Sequence, residues 1–387
     1  MTASGGNLIR GESGRNKRSP QCGATPIEAT GRKAPQLAEG VQGALPRAVR
    51  EPAHRPRCAC DSLRKAPWFM EVIMPDAAVH ASFGRDVFSS LSPEIQSVIH
   101  PDPWTFGLFG PDLWFLYKPW RRREGRGRQM HTTRPGAFLT ALLERAKVSP
   151  RREELFSWLA GFFCHYALDS ITHPYIIYAT TEEYHYPRCH MSFEHELDMR
   201  QIRRDGIRET KHPVTDHYLL RVSLPPSVRE DVDVVFEQVY GWKDGWKAFN
   251  RSARRYRACY RLLENPSGFA ARLARFTKHP LLRSFAYSES HFRDTDVENT
   301  EHRTWRHSHD KSLTFTDSLP ELREKARLLA VNLIESSYRY LWQNQGTAEE
   351  LSALIGNASY LSGLPADDPR NHNVKSLLPS GSKSGKK

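Results

Sequence analysis

The chain has 387 residues, of which 39% are hydrophobic and 11% aromatic, which is enough apolar side chain for one large folded domain or two smaller ones. The net charge of +12 is uneven, because residues 1–69 carry seven surplus basic side chains and the other 318 residues share only five. A strongly basic nucleic-acid groove is therefore not expected on the folded part. The sequence has no apolar run of about 18 residues and no secretory signal, so we expect a cytoplasmic protein without a transmembrane segment.

Three regions of different composition divide the chain. Residues 1–69 are rich in Gly, Pro, Ala and Arg and have few large apolar side chains, so burial cannot offset their conformational entropy and we expect disorder. Sequence typical of folded protein begins near Met70 and Met74, so the leader is either genuine or an artefact of a translation start placed too far upstream. We expect one folded domain over 70–350 and a C-terminal extension over 351–387 that ends in a flexible basic tail.

Helical periodicity dominates the region 70–350. Apolar residues recur at helical spacing in stretches that begin near Val79, Phe138, Phe156 and Val228. The residues Ser318 and Glu321 form a capping box, which predicts the start of a further helix. The one modest strand candidate is TDHYLLRVSL at 215–224. The predicted fold class is therefore all-α: a single helical bundle with a multinuclear metal site in its core and disordered tails at both ends.

Histidines and carboxylates with the spacing of metal ligands lie in this helical region. His165 precedes Asp169 by four residues within a very apolar helix, and His190 precedes Glu194 by four residues. Side chains four residues apart share one helix face and can converge on one ion. His173 lies one turn beyond Asp169. The proline that follows it is expected to end the helix there and to free the imidazole to turn toward an ion.

Further candidates lie on both sides of these pairs. His80 is at the start of the first predicted helix, Asp112 is in the tight turn FGPDLWF, and His131 follows a Gly/Arg-rich loop. Asp198 is expected to accept the N–H of a ligand imidazole without touching the ion. A lone histidine is more often a hydrogen-bonded core residue, but two such pairs would bury unpaired charge unless a cation compensates. Imidazole and carboxylate donors without cysteine favour catalytic zinc.

The order of these segments resembles the zinc-dependent phospholipases C and, more distantly, the fungal zinc nucleases that cleave single strands. The resemblance runs from Met74 to about Arg203 and rests on MPDAAVH, GLFGPDLWFLYKP, His131, GFFCHYALDSITHPYI and HMSFEHELD. It implies an all-helical fold and two or three zinc ions. The ligand groups it implies are Asp112, His131, His165 and Asp169 for one zinc, His173, His190 and Glu194 for a second, and Asp169 with His80 for a third. In secreted members of that family, an N-terminal Trp completes the third group.

Together these features predict a phospholipase C-like phosphodiester hydrolase. A hydroxide shared by the zinc ions is expected to attack phosphorus in line, with Asp112 orienting or deprotonating it. The expected substrate is a phospholipid or a soluble phosphodiester, with peripheral membrane contact, and nucleic acid is not favoured. The candidates on the substrate side are Trp114 and Arg128, for which a core position and a solvated loop are the competing interpretations. A zinc nuclease with the same ligands and a non-catalytic, metal-stabilised helical module remain open alternatives.

Overall fold

Helices dominate the computed structural model, which describes residues 76–117, 125–183, 189–207, 212–219, 222–264 and 296–372, except the side chains at 182–183, 189–192 and 263. The predicted leader 1–69 and the last part of the predicted tail, 373–387, lie outside the described residues. All described residues belong to one unit that spans 57–387. The predicted boundary at residue 350 falls inside a helix that packs on the rest of this unit.

The described residues contain twelve α-helices. In chain order the α-helices are α1 (Ala77–Ser90), α2 (Pro93–Val98), α3 (Pro101–Leu108), α4 (Arg126–Thr132), α5 (Pro135–Val148), α6 (Arg152–Tyr178), α7 (Cys189–Arg204), α8 (Pro213–His217), α9 (Arg229–Tyr240), α10 (Gly245–Leu263), α11 (Leu319–Trp342) and α12 (Ala348–Ile355). Short 3-10 helices span Gly110–Leu116, Pro226–Val228 and Pro369–His372, and a π-helical turn, Ala179–Glu183, extends α6.

Strand structure is minor within the described ranges. The strands β1 (Trp305–Arg306) and β2 (Thr314–Phe315) pair antiparallel, with Trp305 opposite Phe315. One isolated bridge joins Ala358 to Pro365. The all-α prediction is therefore confirmed, and α1, α5, α6, α9 and α11 lie where the apolar periodicity and the capping box predict helices. In the capping box of α11, Ser318 donates its N–H to Glu321 Oε2 at 2.8 Å.

The strand predicted at 215–224 is wrong at its N-terminal end. Residues 215–217 lie in α8, residues 220–221 are outside the described residues, and residues 222–224 form no regular structure. Pro213 occupies the first turn of α8, where its missing N–H costs nothing. The buried Glu264 carboxylate accepts the N–H groups of Val214 and Thr215, so a distant side chain stabilises this helix start.

Helix α6 forms the centre of the bundle, with α3, α5 and α11 packed around it. Nearly every side chain from Leu155 to Ile177 is buried. The prediction that α6 ends at His173 is wrong, because the helix continues through Pro174 to Tyr178. A proline inside a helix costs about 3 kcal/mol. Burial of the aromatic and aliphatic side chains at residues 175–177, each contributing about 1.5–3 kcal/mol, offsets that cost.

Candidate metal centre

Seven of the predicted ligands meet inside the bundle, and each of them is at most 3% exposed. They come from five separate elements: α1, the 3-10 helix Gly110–Leu116, α4, α6 and α7. The residues are His80, Asp112, His131, His165, Asp169, His173 and Glu194. Their convergence depends on close backbone packing. Gly110 (φ 40°) lies so near the His165 ring that a Cβ there would be 2.6 Å from its Cγ atom.

Three of the histidines are held by backbone carbonyl oxygens. The Nδ1 atom lies 2.8 Å from Gly127 O in His131, 3.0 Å from Leu108 O in His165 and 2.7 Å from Tyr360 O in His173. A carbonyl oxygen only accepts, so each Nδ1 carries a proton and Nε2 is the ring nitrogen that faces the carboxylates of the cluster. This is the tautomer and orientation that metal-binding histidines require.

Two of these Nε2 atoms approach carboxylates in the manner of ligands that share an ion. His131 Nε2 lies 3.0 Å from Asp112 Oδ1, and His165 Nε2 lies 3.0 Å from Asp169 Oδ2. None of these four buried atoms makes a hydrogen bond within the described residues. Ligands about 2.0–2.1 Å from a tetrahedral zinc lie about 3.3 Å from one another. Both the spacing and the unsatisfied atoms therefore fit a bound metal ion.

Three overlapping groups in the described part of the chain have the ligand atoms to hold an ion, all within 4.8 Å of one another in each group. The groups are His80, Asp112 and His165; His131, His165 and Asp169; and Asp76, His80 and Asp169. Oxygen and imidazole nitrogen donors suit zinc. The groups share His80, His165 and Asp169, so they form one connected cluster that could hold metal.

Asp169 is the most connected carboxylate of the cluster. Its oxygens lie 3.2 Å from His80 Nε2, 3.0 Å from His165 Nε2 and 3.7 Å from His173 Nδ1. Burial alone would raise the pKa of Asp169, but the surrounding imidazoles outweigh it and hold that pKa well below its usual range. The side chain is therefore an anion placed between several potential ligands.

Asp76, which is not among the ligands predicted from the sequence, joins the cluster beside His80. Its Oδ2 atom lies 2.8 Å from His80 Nε2, and its Oδ1 atom is buried without a hydrogen-bond partner among the described residues. Burial raises the pKa of Asp76 well above its usual range. The sequence does contain a signal for Asp76, because it precedes His80 by four residues. In the other two pairs the histidine comes first and the carboxylate follows.

His173 and Glu194 form the described part of the second predicted zinc group. His173 Nε2 lies 3.2 Å from Glu194 Oε1. Burial alone would lower the pKa of His173, but Asp169 and Glu194 outweigh it and raise that pKa to about 9. The third predicted member, His190, lies in the first turn of α7, but its side chain is outside the described residues.

Asp198 acts on the cluster through the backbone of α1. Its Oδ1 atom accepts the N–H groups of Ala78 at 2.9 Å and of Val79 at 3.0 Å, which stabilises the first turn of the helix that carries His80. Burial raises the pKa of Asp198 to about 8. The described hydrogen bonds of this carboxylate thus run to amides, whereas we predicted an imidazole partner.

Of the predicted substrate-side residues, Trp114 lies beside the short helix α4 and Arg128 lies on it. Trp114 is 1% exposed and stacks on Phe249 at a centroid distance of 4.6 Å, so it lies in the aromatic core. The Arg126 guanidinium lies 4.8 Å from the Trp114 ring, 4.3 Å from Tyr117 and 4.6 Å from Trp242. These cation–π contacts join α4, the helix that carries His131, to the aromatic side chains around Trp114.

Arg128 is half-buried on α4, while the arginines at 121–123 lie outside the described residues. None of the helices that the structure describes combines the length and the apolar character that a bilayer span needs. The structure therefore brings seven of the predicted ligands together, whereas Trp114 lies in the aromatic core and Arg128 on α4.

A comparison with protein families gives one match that agrees with this geometry. Residues 79–241 match the model of the family described as zinc dependent phospholipase C. No curated protein and no solved structure matches the chain significantly. The matched segment contains all seven buried ligands that the sequence predicted, whereas Asp76 and residues 242–387 lie outside it. The resemblance drawn from the sequence is thus confirmed for residues 79–241, here called the family region, which match the zinc dependent phospholipase C family.

Proposed function

We propose that this protein is a zinc-dependent phosphodiester hydrolase of the phospholipase C type. One observation carries the proposal: three buried histidines, each fixed through Nδ1 by a backbone carbonyl, direct Nε2 at carboxylates inside a shared cluster. Burying several carboxylates without a compensating cation costs several kcal/mol for each ion. A stable bundle with this core therefore favours bound divalent metal.

We assign the ligands in three groups. Asp112, His131, His165 and Asp169 would hold one zinc, and His173, His190 and Glu194 a second. A third group consists of Asp169 and His80, and the position of Asp76 beside His80 supplies it with a carboxylate from within the chain. An N-terminal residue is then not needed to complete that group. Zinc bound here would supply a water molecule of lowered pKa and positive charge beside the phosphoryl oxygens.

The chain's own residues then have distinct roles in hydrolysis. Asp112, placed beside His131, would orient the attacking water and accept its proton. The water oxygen forms a new P–O bond while the bond to the leaving alcohol breaks, and the departing oxygen takes up a proton from solvent, to which Asp112 returns the proton it accepted. The products are a phosphomonoester and an alcohol. His131, His165 and His173 hold their Nε2 atoms in place throughout, because their Nδ1–H groups stay hydrogen-bonded to backbone carbonyl oxygens.

We propose a phospholipid as the substrate class, since the family region is that of phospholipases C. The test compares zinc-loaded and chelator-treated full-length protein on bis(p-nitrophenyl) phosphate, on phospholipid vesicles and on a single-stranded oligonucleotide. We expect hydrolysis that chelator abolishes and added zinc restores, with release of diacylglycerol from the vesicles. Preferential cleavage of the oligonucleotide would favour the nuclease alternative.

The matched variants are Asp112→Asn and Asp231→Asn. Asp112→Asn should lower kcat by about 10²–10⁴-fold, the range for loss of a general base. Asp231 is also a buried carboxylate, but it pairs with Arg145 and Ser149 on another part of the bundle, so its variant should keep kcat. Zinc-loaded protein that hydrolyses none of the three substrates would leave the non-catalytic module as the correct interpretation.

A further inference from the structure

A C-terminal segment outside the family region closes over the metal centre. Residues 356–366, here called the C-terminal strap, form a small hairpin in which Ala358 bridges Pro365 and Ser359 N–H donates to Leu364 O at 2.8 Å. The strap lies against α6: Ala358 N–H donates to the hydroxyl of Tyr166 at 2.9 Å. The strap begins 115 residues after the family match ends and packs on the core helix of the family region.

Tyr360, at the tip of the strap, contacts three predicted ligands. Its carbonyl oxygen lies 2.7 Å from His173 Nδ1, and its N–H donates to His131 O at 3.2 Å. Its ring, 1% exposed, lies with its centroid 5.4 Å from that of His131 and 5.7 Å from that of His165. One residue thus touches ligands that α4 and α6 carry.

We infer that Tyr360 is a positioning residue that holds the ligand histidines of the two main zinc groups in their binding orientation. The inference rests on the proposed function, because it assumes that His131 and His173 bind zinc. The Tyr360 carbonyl oxygen accepts a hydrogen bond from His173 Nδ1–H and so keeps a proton on Nδ1. Nε2 is then the ring nitrogen that binds zinc. Tyr360 N–H and the Tyr360 ring hold the backbone and the imidazole of His131.

The need for such a residue follows from the shortness of α4. This helix has seven residues, too few to be stable without tertiary contacts. His131 lies in its last turn and depends on what packs against it. Loss of the hydrogen-bond partners behind metal-binding histidines typically weakens metal affinity by about 10–100-fold. A comparable loss is expected when the strap is displaced.

Gly363 allows the strap to be displaced without changing a ligand. It has φ 68°, and a Cβ at this position would lie 2.4 Å from the backbone oxygen of Ser170 on α6. Gly363→Ala must therefore push the strap away from α6. Gly241 has the same φ of 68° but nothing within 4 Å of its Cβ position, so Gly241→Ala adds the same backbone strain in open space.

The experiment measures zinc affinity of the full-length wild type and both variants by competition with a chromogenic chelator, and zinc content by mass spectrometry. We expect Gly363→Ala to bind zinc about 10–100-fold more weakly and Gly241→Ala to bind as the wild type does. The absorption spectrum of cobalt-substituted protein adds a readout of ligand geometry that a general loss of stability does not change. We expect it to shift in Gly363→Ala alone. If Gly363→Ala does not fold, Tyr360→Ala replaces it, because it removes the ring from His131 and His165.

Two failures can be told apart. Wild-type protein that binds no zinc overturns the proposed function and this inference together. Wild-type protein that binds zinc, combined with unchanged affinity and an unchanged cobalt spectrum in Gly363→Ala, overturns the inference alone. Equal weakening in Gly363→Ala and Gly241→Ala also overturns it, because backbone strain would then account for the whole effect.

Discussion

The variant Asp169→Asn tests the multinuclear centre most directly. The Asp169 carboxylate lies within 3.0–3.7 Å of three imidazole nitrogens and belongs to two of the three groups that can hold an ion. Asparagine keeps the shape of the side chain but loses the negative charge and one of the two oxygen donors. The variant should therefore lose zinc from more than one group.

The size of the effect follows from binding linkage. A ligand at 100 times its Kd stabilises the native state by about 2.7 kcal/mol for each independent site, so two sites contribute about 5 kcal/mol. In a large domain about 1 kcal/mol shifts Tm by about 2–4 °C, so zinc should raise the wild-type Tm by about 10–20 °C. In Asp169→Asn we expect this zinc-dependent rise to fall to less than about half of the wild-type value.

Differential scanning calorimetry of chelator-treated protein with and without added zinc measures this rise. Asp231→Asn serves as the control, because Asp231 is a buried carboxylate that pairs with Arg145 Nε at 2.5 Å and Ser149 Oγ at 2.9 Å. It should lower Tm with and without zinc and leave the difference between them unchanged. If zinc raises the Tm of Asp169→Asn as much as that of the wild type, Asp169 does not bridge the metal groups.

Three further predictions concern single residues. Asp76→Asn should bind one zinc ion fewer per chain than the wild type, as measured by mass spectrometry under native conditions. Asp86→Asn, on the exposed side of α1, should bind as many as the wild type. Equal zinc content in the two variants would contradict the role of Asp76. In metal-free protein the pKa of His173 is about 9, compared with an ordinary value of 6.5. Protonation of His173 therefore adds on the order of 3 kcal/mol to the free energy of unfolding. This contribution is fully present below about pH 6.5 and is lost as the pH rises through about 9. Urea unfolding of metal-free protein should show this decrease, and His173→Gln should lack it. Arg126→Gln removes the guanidinium from three aromatic rings, so the free energy of unfolding should fall by on the order of 2 kcal/mol. Zinc affinity should fall as well. Unchanged zinc affinity would show that α4 holds His131 in place without this contact.

The sequence by itself determined the features that depend on local spacing. The pair His165 and Asp169 could be placed on one face of α6 because side chains four residues apart meet in any α-helix. The capping box of Ser318 and Glu321 predicted the start of α11 for the same reason, since both partners lie within one turn. The family resemblance added the predicted ligands that lie on separate helices.

Only the tertiary structure decided which distant groups hold these ligands in place. The hydrogen bond between His173 and Tyr360 joins residues 187 positions apart, and no periodicity in the sequence indicates it. Because the side chains of α6 are buried on all sides, the helix continues through Pro174, although the local sequence favours an earlier helix end. Asp76 likewise gains its role from the meeting of α1 with α6, which places Asp169 beside the same Nε2 atom of His80 that Asp76 contacts. Local pattern specifies which residues share a helix face, whereas packing between helices determines which faces meet.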